Sequence, residues 1–166
     1  MSQRWSEAVA RQFGAALEMV GNAIEACPDE LWFDPSRKPA FWYVAYHVLF
    51  WTDLYLHGRL EGFAPPAPHN LDELDPVGLV PDPPCTQEQM RAYLTHCRAR
   101  MRQVFGALTN DQVHAPSGID WIEGERGELQ LYNLRHVQHH AGQLQMMLRQ
   151  AGVEPPRWVK RGVALH

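Results

Sequence analysis

The sequence predicts an all-α protein: an up-down four-helix bundle with a long proline-rich crossover between its second and third helices. Three observations lead there. Four stretches of the 166-residue chain repeat apolar residues every three or four positions, the period of a helix that buries one face. One of the four is apolar nearly all round and needs neighbours on every side. Pro and Gly gather between these stretches rather than inside them. At 45% hydrophobic and 20% charged, the chain is long enough for one well-buried core and too short for two, so residues 1–166 are expected to form a single domain.

The first helix is marked by Trp5, Val9, Phe13, Ala16, Leu17, Val20 and Ile24 and ends near Cys27-Pro28. A breaker-rich turn from Asp29 to Lys38 follows, and Pro39 suits the first turn of the second helix, where its missing N–H costs nothing. That helix, about Pro39 to Leu56, reads PAFWYVAYHVLFWTDLYL. It falls short of a membrane span and is broken by His47, Thr52 and Asp53, so it is read as the central core helix. Asp53 and His57 are four apart, but Gly58 and the polar residues after it place them at an exposed helix end. Glu61 to Cys85 holds seven of the thirteen prolines and is the expected crossover, either a lid or binding loop or a passive strap. Thr86-Gln87-Glu88-Gln89 has the pattern of a capping box, and Met90, Leu94, Cys97, Met101, Val104 and Leu108 form the seam of the third helix. Its arginines at 91, 98, 100 and 102 are expected on a solvated face, and His96 at the surface. Residues 109 to 127 make a second long connection anchored by Ile119, Trp121 and Ile122. The fourth helix runs within Glu128 to Gly152, with Leu129, Val137, Leu144, Met147 and Leu148 as its stripe and Gly152 beyond its end. The tail after it is expected to fold back along the bundle.

A formal charge of -4 and a pI near 6.1, with no Lys/Arg cluster, exclude the electrostatic footprint of a nucleic-acid binder. No membrane association is expected. Three widely spaced cysteines without a CxxC, and N-terminal residues without a basic region followed by an apolar core, favour a cytoplasmic protein with free thiols.

The chemistry gathers on histidines. His136 and His140 are four apart on the fourth helix, so both imidazoles stack on one face about a turn apart and aim at a common point. His139 is turned away from them. Asn133 and Gln143 share the inward face and are candidates to hold an imidazole, a water or a substrate. Val137 stands where zinc proteases carry the glutamate of HExxH, which removes support for peptidase chemistry. His47 is a solitary imidazole in an apolar helix and must be satisfied, by a core hydrogen bond or by a metal. Joined with His136 and His140, it makes a three-histidine site for a divalent ion with positions left for water or substrate. Three imidazoles suit several metals, zinc and nickel foremost. No carboxylate is placed near these ligands by the sequence.

AYHVLFWTDLYL around His47, and LRHVQHHAGQLQMMLRQAG from Leu134 to Gly152 with its HH-x-GQ, resemble the DinB/YfiT-like superfamily of metal-binding four-helix bundles. The likeness spans nearly the whole chain, with departures in the proline-heavy crossover and in PRWVKRG near the C-terminus. It implies metal ligands at His47, His136 and His140, the set that helical phase also selects. It further implies a homodimer and the chemistry of thiol-dependent S-transferases or isomerases, with a low-molecular-weight thiol or another small molecule as substrate. Physically, a divalent ion on neutral imidazoles lowers the pKa of a thiol or water and yields a nucleophile near neutrality. With no glutamate beside the histidines, thiol transfer is expected ahead of hydrolysis. The alternative, from another class, is a non-catalytic, metal-stabilised module for binding or dimerisation.

Overall fold

The computed structural model describes residues 3–162 apart from Leu79. Six α-helices account for its regular structure: α1 (Gln3–Ala26), α2 (Asp29–Trp32), α3 (Phe41–His57), α4 (Gln87–Ala107), α5 (Asn110–His114) and α6 (Arg126–Gln150). A single 3-10 turn, Asp72–Leu74, lies between α3 and α4, and no strand occurs among the described residues. The four long helices pack in a closed cycle, α1 against α6 and α4, and α3 against the same two. No helix among the described residues is long and apolar enough to cross a membrane.

The apolar stripe of α1 is buried from Val9 to Ile24, but Trp5 is 53% exposed. The helical period outlasts the surface that α1 packs on, so the expectation of a core tryptophan fails in the first turn. On α3 the buried set runs almost round the helix; the part-exposed exceptions are Tyr43, His47 and Trp51, at four-residue steps, and His57 at its last position. The helix ends at Gly58, whose φ of 81° is the left-handed conformation that closes an N–H onto Leu54 O at 2.9 Å. Gly118 then crosses over that end. Its own φ is +81°, and a Cβ there would lie 2.2 Å from the Gly58 carbonyl oxygen, so only glycine fits.

The capping box of α4 forms between Thr86 and Gln89, and Trp32 Nε1 donates to Cys85 O at 2.9 Å, fixing the approach to α4 against α2. On α6, Leu129, Val137, Ala141, Leu144 and Leu148 are buried together with two amides, Gln130 and Asn133. Gln130 Nε2 donates to Tyr55 O at 2.9 Å and Asn133 Nδ2 to Thr52 O at 3.1 Å. Asn133 therefore ties α6 to α3 through its amide N–H. In the connection before α6, Ile119 is buried, Ile122 packs on the core, and Trp121 stays half-exposed against Trp51. The tail returns along α1, where Gly162 N donates to Arg11 O at 3.0 Å.

The largest departure from expectation is Asp53. It is fully buried, not at an exposed helix end, because α4 supplies it with partners: Arg100 Nη1 at 3.0 Å, His96 Nε2 at 3.1 Å and the Tyr93 hydroxyl at 3.4 Å. Arg100 thus leaves the solvated face assigned to it, and His96 is half-buried. Burial pushes the Asp53 pKa up, opposed by Arg100 and His96. Removing one member of such a pair strands the other's charge. Arg100→Leu should lower the unfolding free energy by about 3 kcal/mol in a denaturant titration, and Arg91→Leu, at an exposed pair, by well under about 1 kcal/mol. Equal small losses would show that Asp53 does not depend on its partner.

Candidate metal centre

α3 and α6 lie against each other, and their facing surfaces bring together His47, His136 and His140. One nitrogen from each lies within 4.8 Å of the others. The ring centroids are 4.5 Å apart for His136 and His140, 4.8 Å for His47 and His140, and 5.5 Å for His47 and His136. The stripe Asn133, Val137, Ala141, Leu144 fixes the rotation of α6, and His136 and His140 flank it, half-buried. The three residues singled out on separate helices are neighbours in space.

Each imidazole is differently held. His47 Nδ1 lies 2.5 Å from Glu73 Oε1, an oxygen that also accepts from Trp51 Nε1 at 3.1 Å and from the Tyr43 hydroxyl at 3.4 Å. A proton on Nδ1 facing the carboxylate leaves Nε2 with the free lone pair. His140 Nδ1 lies 2.7 Å from Gln143 Oε1, which sets its free lone pair on Nε2 in the same way. Gln143 Nε2 in turn sits 3.1 Å from His139 Nε2, so His139 reaches the site through Gln143 and is not one of the three. His136 Nδ1 is buried with no hydrogen-bond partner.

Burial, and then the neighbouring imidazoles, push the His136 pKa down to about 3. Burial, followed by His47, brings His140 down to about 4, against the upward pull of Gln143. At neutral pH both rings are uncharged, the state in which imidazole is a ligand. An orphaned, buried ring nitrogen beside two imidazoles held in place by Glu73 and Gln143 fits a divalent cation.

Glu73 was not foreseen: the sequence placed no carboxylate near the histidines, and the structure brings this one against His47. It comes from the 3-10 turn in the proline-rich stretch, where helical periodicity carries no information. Its partners did leave a trace, since Tyr43, His47 and Trp51 repeat at i, i+4 and i+8 and present three donors on one line. The Glu73 side chain is 4% exposed, and its Oε2 is buried without a partner. Beyond His136, an open cavity of about 500 Å³ is lined by Tyr132, Arg135, Gln138 and His139.

A family model described as the DinB superfamily matches residues 12–144, a span that includes all three histidines. The chain belongs to that superfamily. No curated protein matches it.

Because Glu73 Oε1 gathers three donors, Glu73→Ala should shift the Trp51 indole N–H resonance upfield and cost about 1–3 kcal/mol of stability. An unmoved indole resonance would show that the carboxylate does not hold this face of α3.

Proposed function

We propose that this member of the DinB superfamily is a metal-dependent enzyme that activates a thiol, and less readily water, at a three-histidine site. His47, His136 and His140 are the proposed ligands, with Gln143 and Glu73 orienting two of them. The observation that carries the reading is the convergence of three imidazoles from two helices, one with a buried unpartnered nitrogen. No fourth protein group closes the cluster among the described residues, and a cavity opens beside His136. An open position favours chemistry over a purely structural ion. We place the site in a single domain, residues 1–166, with the topology of an up-down four-helix bundle crossed by its proline-rich stretch.

A divalent ion held there, zinc or nickel, supplies a nucleophile near neutral pH by lowering the pKa of the group it binds. The chain's own residues do the rest. Glu73 and Gln143 hold His47 and His140 in one tautomer and one orientation, so that both offer Nε2. Trp51 packs against His47 and Tyr55 against His136, and Tyr132 packs in turn on Tyr55. Glu73 Oε1 receives three donors, His47 Nδ1 among them, and we assign Glu73 the role of positioning His47 rather than that of a general base. A thiol, with an ordinary pKa of about 8.5, needs no such base, whereas water does. The substrates proposed are therefore a low-molecular-weight thiol and a small electrophile.

A homodimer is supported by Trp5, Trp121 and Tyr132, aromatic surface that one chain leaves at least a third exposed. The net charge gives nucleic acid no part in the proposal. The cytoplasmic assignment rests on three free, buried cysteines, Cys27, Cys85 and Cys97.

Purified protein should take up about one divalent ion per chain by elemental analysis. His47→Ala, His136→Ala and His140→Ala should each abolish tight binding, whereas His139→Ala should retain it. A chain that stays metal-free after incubation with zinc and nickel ends the reading. Loaded protein given an electrophile with cysteine, glutathione, bacillithiol or mycothiol should form the adduct at a metal-dependent rate. Ester or amide turnover without stimulation by any thiol would make it a hydrolase, and inactivity throughout would make it a binding module.

A further inference from the structure

We infer that a second site, separate from the histidine cluster, binds a small organic anion: a carboxylate on a short aliphatic tail. Where the end of α3, the C-terminal half of α4 and the start of α6 meet, a cavity of about 370 Å³ opens, within the range of small-molecule pockets. Arg100, Arg126, Gln103, Gln112 and His57 supply its polar lining. Leu56, Val104 and Leu108 supply an apolar wall. No carboxylate lines it among the described residues. Arg126 opens α6 ten residues before His136, about 15 Å along the helix, so the two sites are distinct.

The two guanidinium groups carry more positive charge than their surroundings balance. Arg100 stands 3.0 Å from Asp53 Oδ1 as an ion pair without an aligned hydrogen bond, and that one carboxylate also serves His96 and Tyr93. Arg126 has no acidic partner among the described residues. Its Nη2 donates to the carbonyl of His57 at 3.3 Å, and its Nε is buried with no acceptor at all. The guanidinium lies close to Gly58, where a Cβ would come within 2.9 Å of Nη2, so only a residue without a side chain leaves it room at the end of α3. A fixed cation with an unsatisfied, buried N–H is a ready partner for an oxyanion, and arginine's fork suits the two oxygens of a carboxylate. Gln112 spends its Oε1 on the Thr109 cap, which leaves its amide N–H groups as donors, and Gln103 adds a second carboxamide. The polar groups thus offer mainly donors, and the aliphatic wall beside them selects an anion with a short tail over a bare inorganic ion.

Hexanoate is a suitable probe, titrated against the full-length protein by NMR. It should shift the side-chain amide resonances of Gln103 and Gln112, and the same shifts should appear in His136→Ala, which separates this site from the histidine cluster. Arg126→Gln should weaken hexanoate by about tenfold or more, the loss expected for one charge-assisted contact. Because Arg126 also holds the end of α3, a second variant guards against misfolding: Ala107→Phe, at an exposed lining position, should fill the cavity and weaken binding as much. Hexan-1-ol should not compete, and inorganic phosphate should bind more weakly than hexanoate. The inference is overturned if millimolar hexanoate leaves these resonances unmoved, if both variants keep wild-type affinity, or if hexanol or phosphate binds as well as hexanoate.

Discussion

α3 is apolar on nearly every face and packs against both α4 and α6, so its buried polar groups need partners inside the protein, which Asp53 and Thr52 find and the Tyr46 hydroxyl does not. That constraint organises much of what surrounds it. Asp53 draws Arg100, His96 and Tyr93 of α4 inward. Thr52 turns its hydroxyl onto the Val48 carbonyl at 2.5 Å, and its own carbonyl accepts from Asn133 of α6. His47 meets Glu73 on one side and the α6 histidines on the other. Three polar residues on one helix therefore specify how α4, α6 and the proline-rich stretch are set against it. Apolar contacts alone would tolerate small rotations of these neighbours, whereas directional bonds to fixed donors do not.

The same logic explains the division of labour along α6. Its N-terminal half buries Gln130 and Asn133, which bond to α3 carbonyls, while its C-terminal half buries Val137, Ala141, Leu144 and Leu148. The amides fix the register of α6 on α3, and the aliphatic residues supply burial. His136 and His140 sit beside the changeover, half-buried. Their position is set by groups that are not themselves part of the cluster.

Helical residues were legible in the sequence because periodicity reports directly on burial. The existence of the long helices, the capping box at Thr86, the apolar character of α3 and the shared face of His136 and His140 all follow from spacing, whereas Pro39, expected in the first turn of the second helix, precedes the N-cap residue Ala40 and lies outside α3. What escaped were contacts between elements. Asp53 read as the start of an exposed end because its own helix turns polar there, and only the opposing face of α4 reveals why it is buried. Arg100 looked like its arginine neighbours for the same reason. Glu73 lies in a stretch without period, where nothing local distinguishes it from Asp72 or Asp75. The line of donors at Tyr43, His47 and Trp51 was the available signal, and it indicates an acceptor without saying which residue supplies it.

The two ends of the α3–α6 pair carry opposite electrostatic demands. At the histidine cluster, protonation is disfavoured because burial and three close imidazoles would force like charges into a shared, poorly solvated space. Uncharged His136 and His140, with one nitrogen of each close to one of His47, suit a cation that brings its own charge and takes no proton. At the arginine cavity the fixed charge is positive, the free groups are mainly donors, and an anion completes them. Both sites are built on rigid helices: the histidine cluster is braced by a carboxylate from an irregular segment, and the arginine cavity by a glycine that lets the guanidinium approach. The packing of α3 on α6 is thus common to two sites of opposite polarity, and a change that rotates either helix should disturb both.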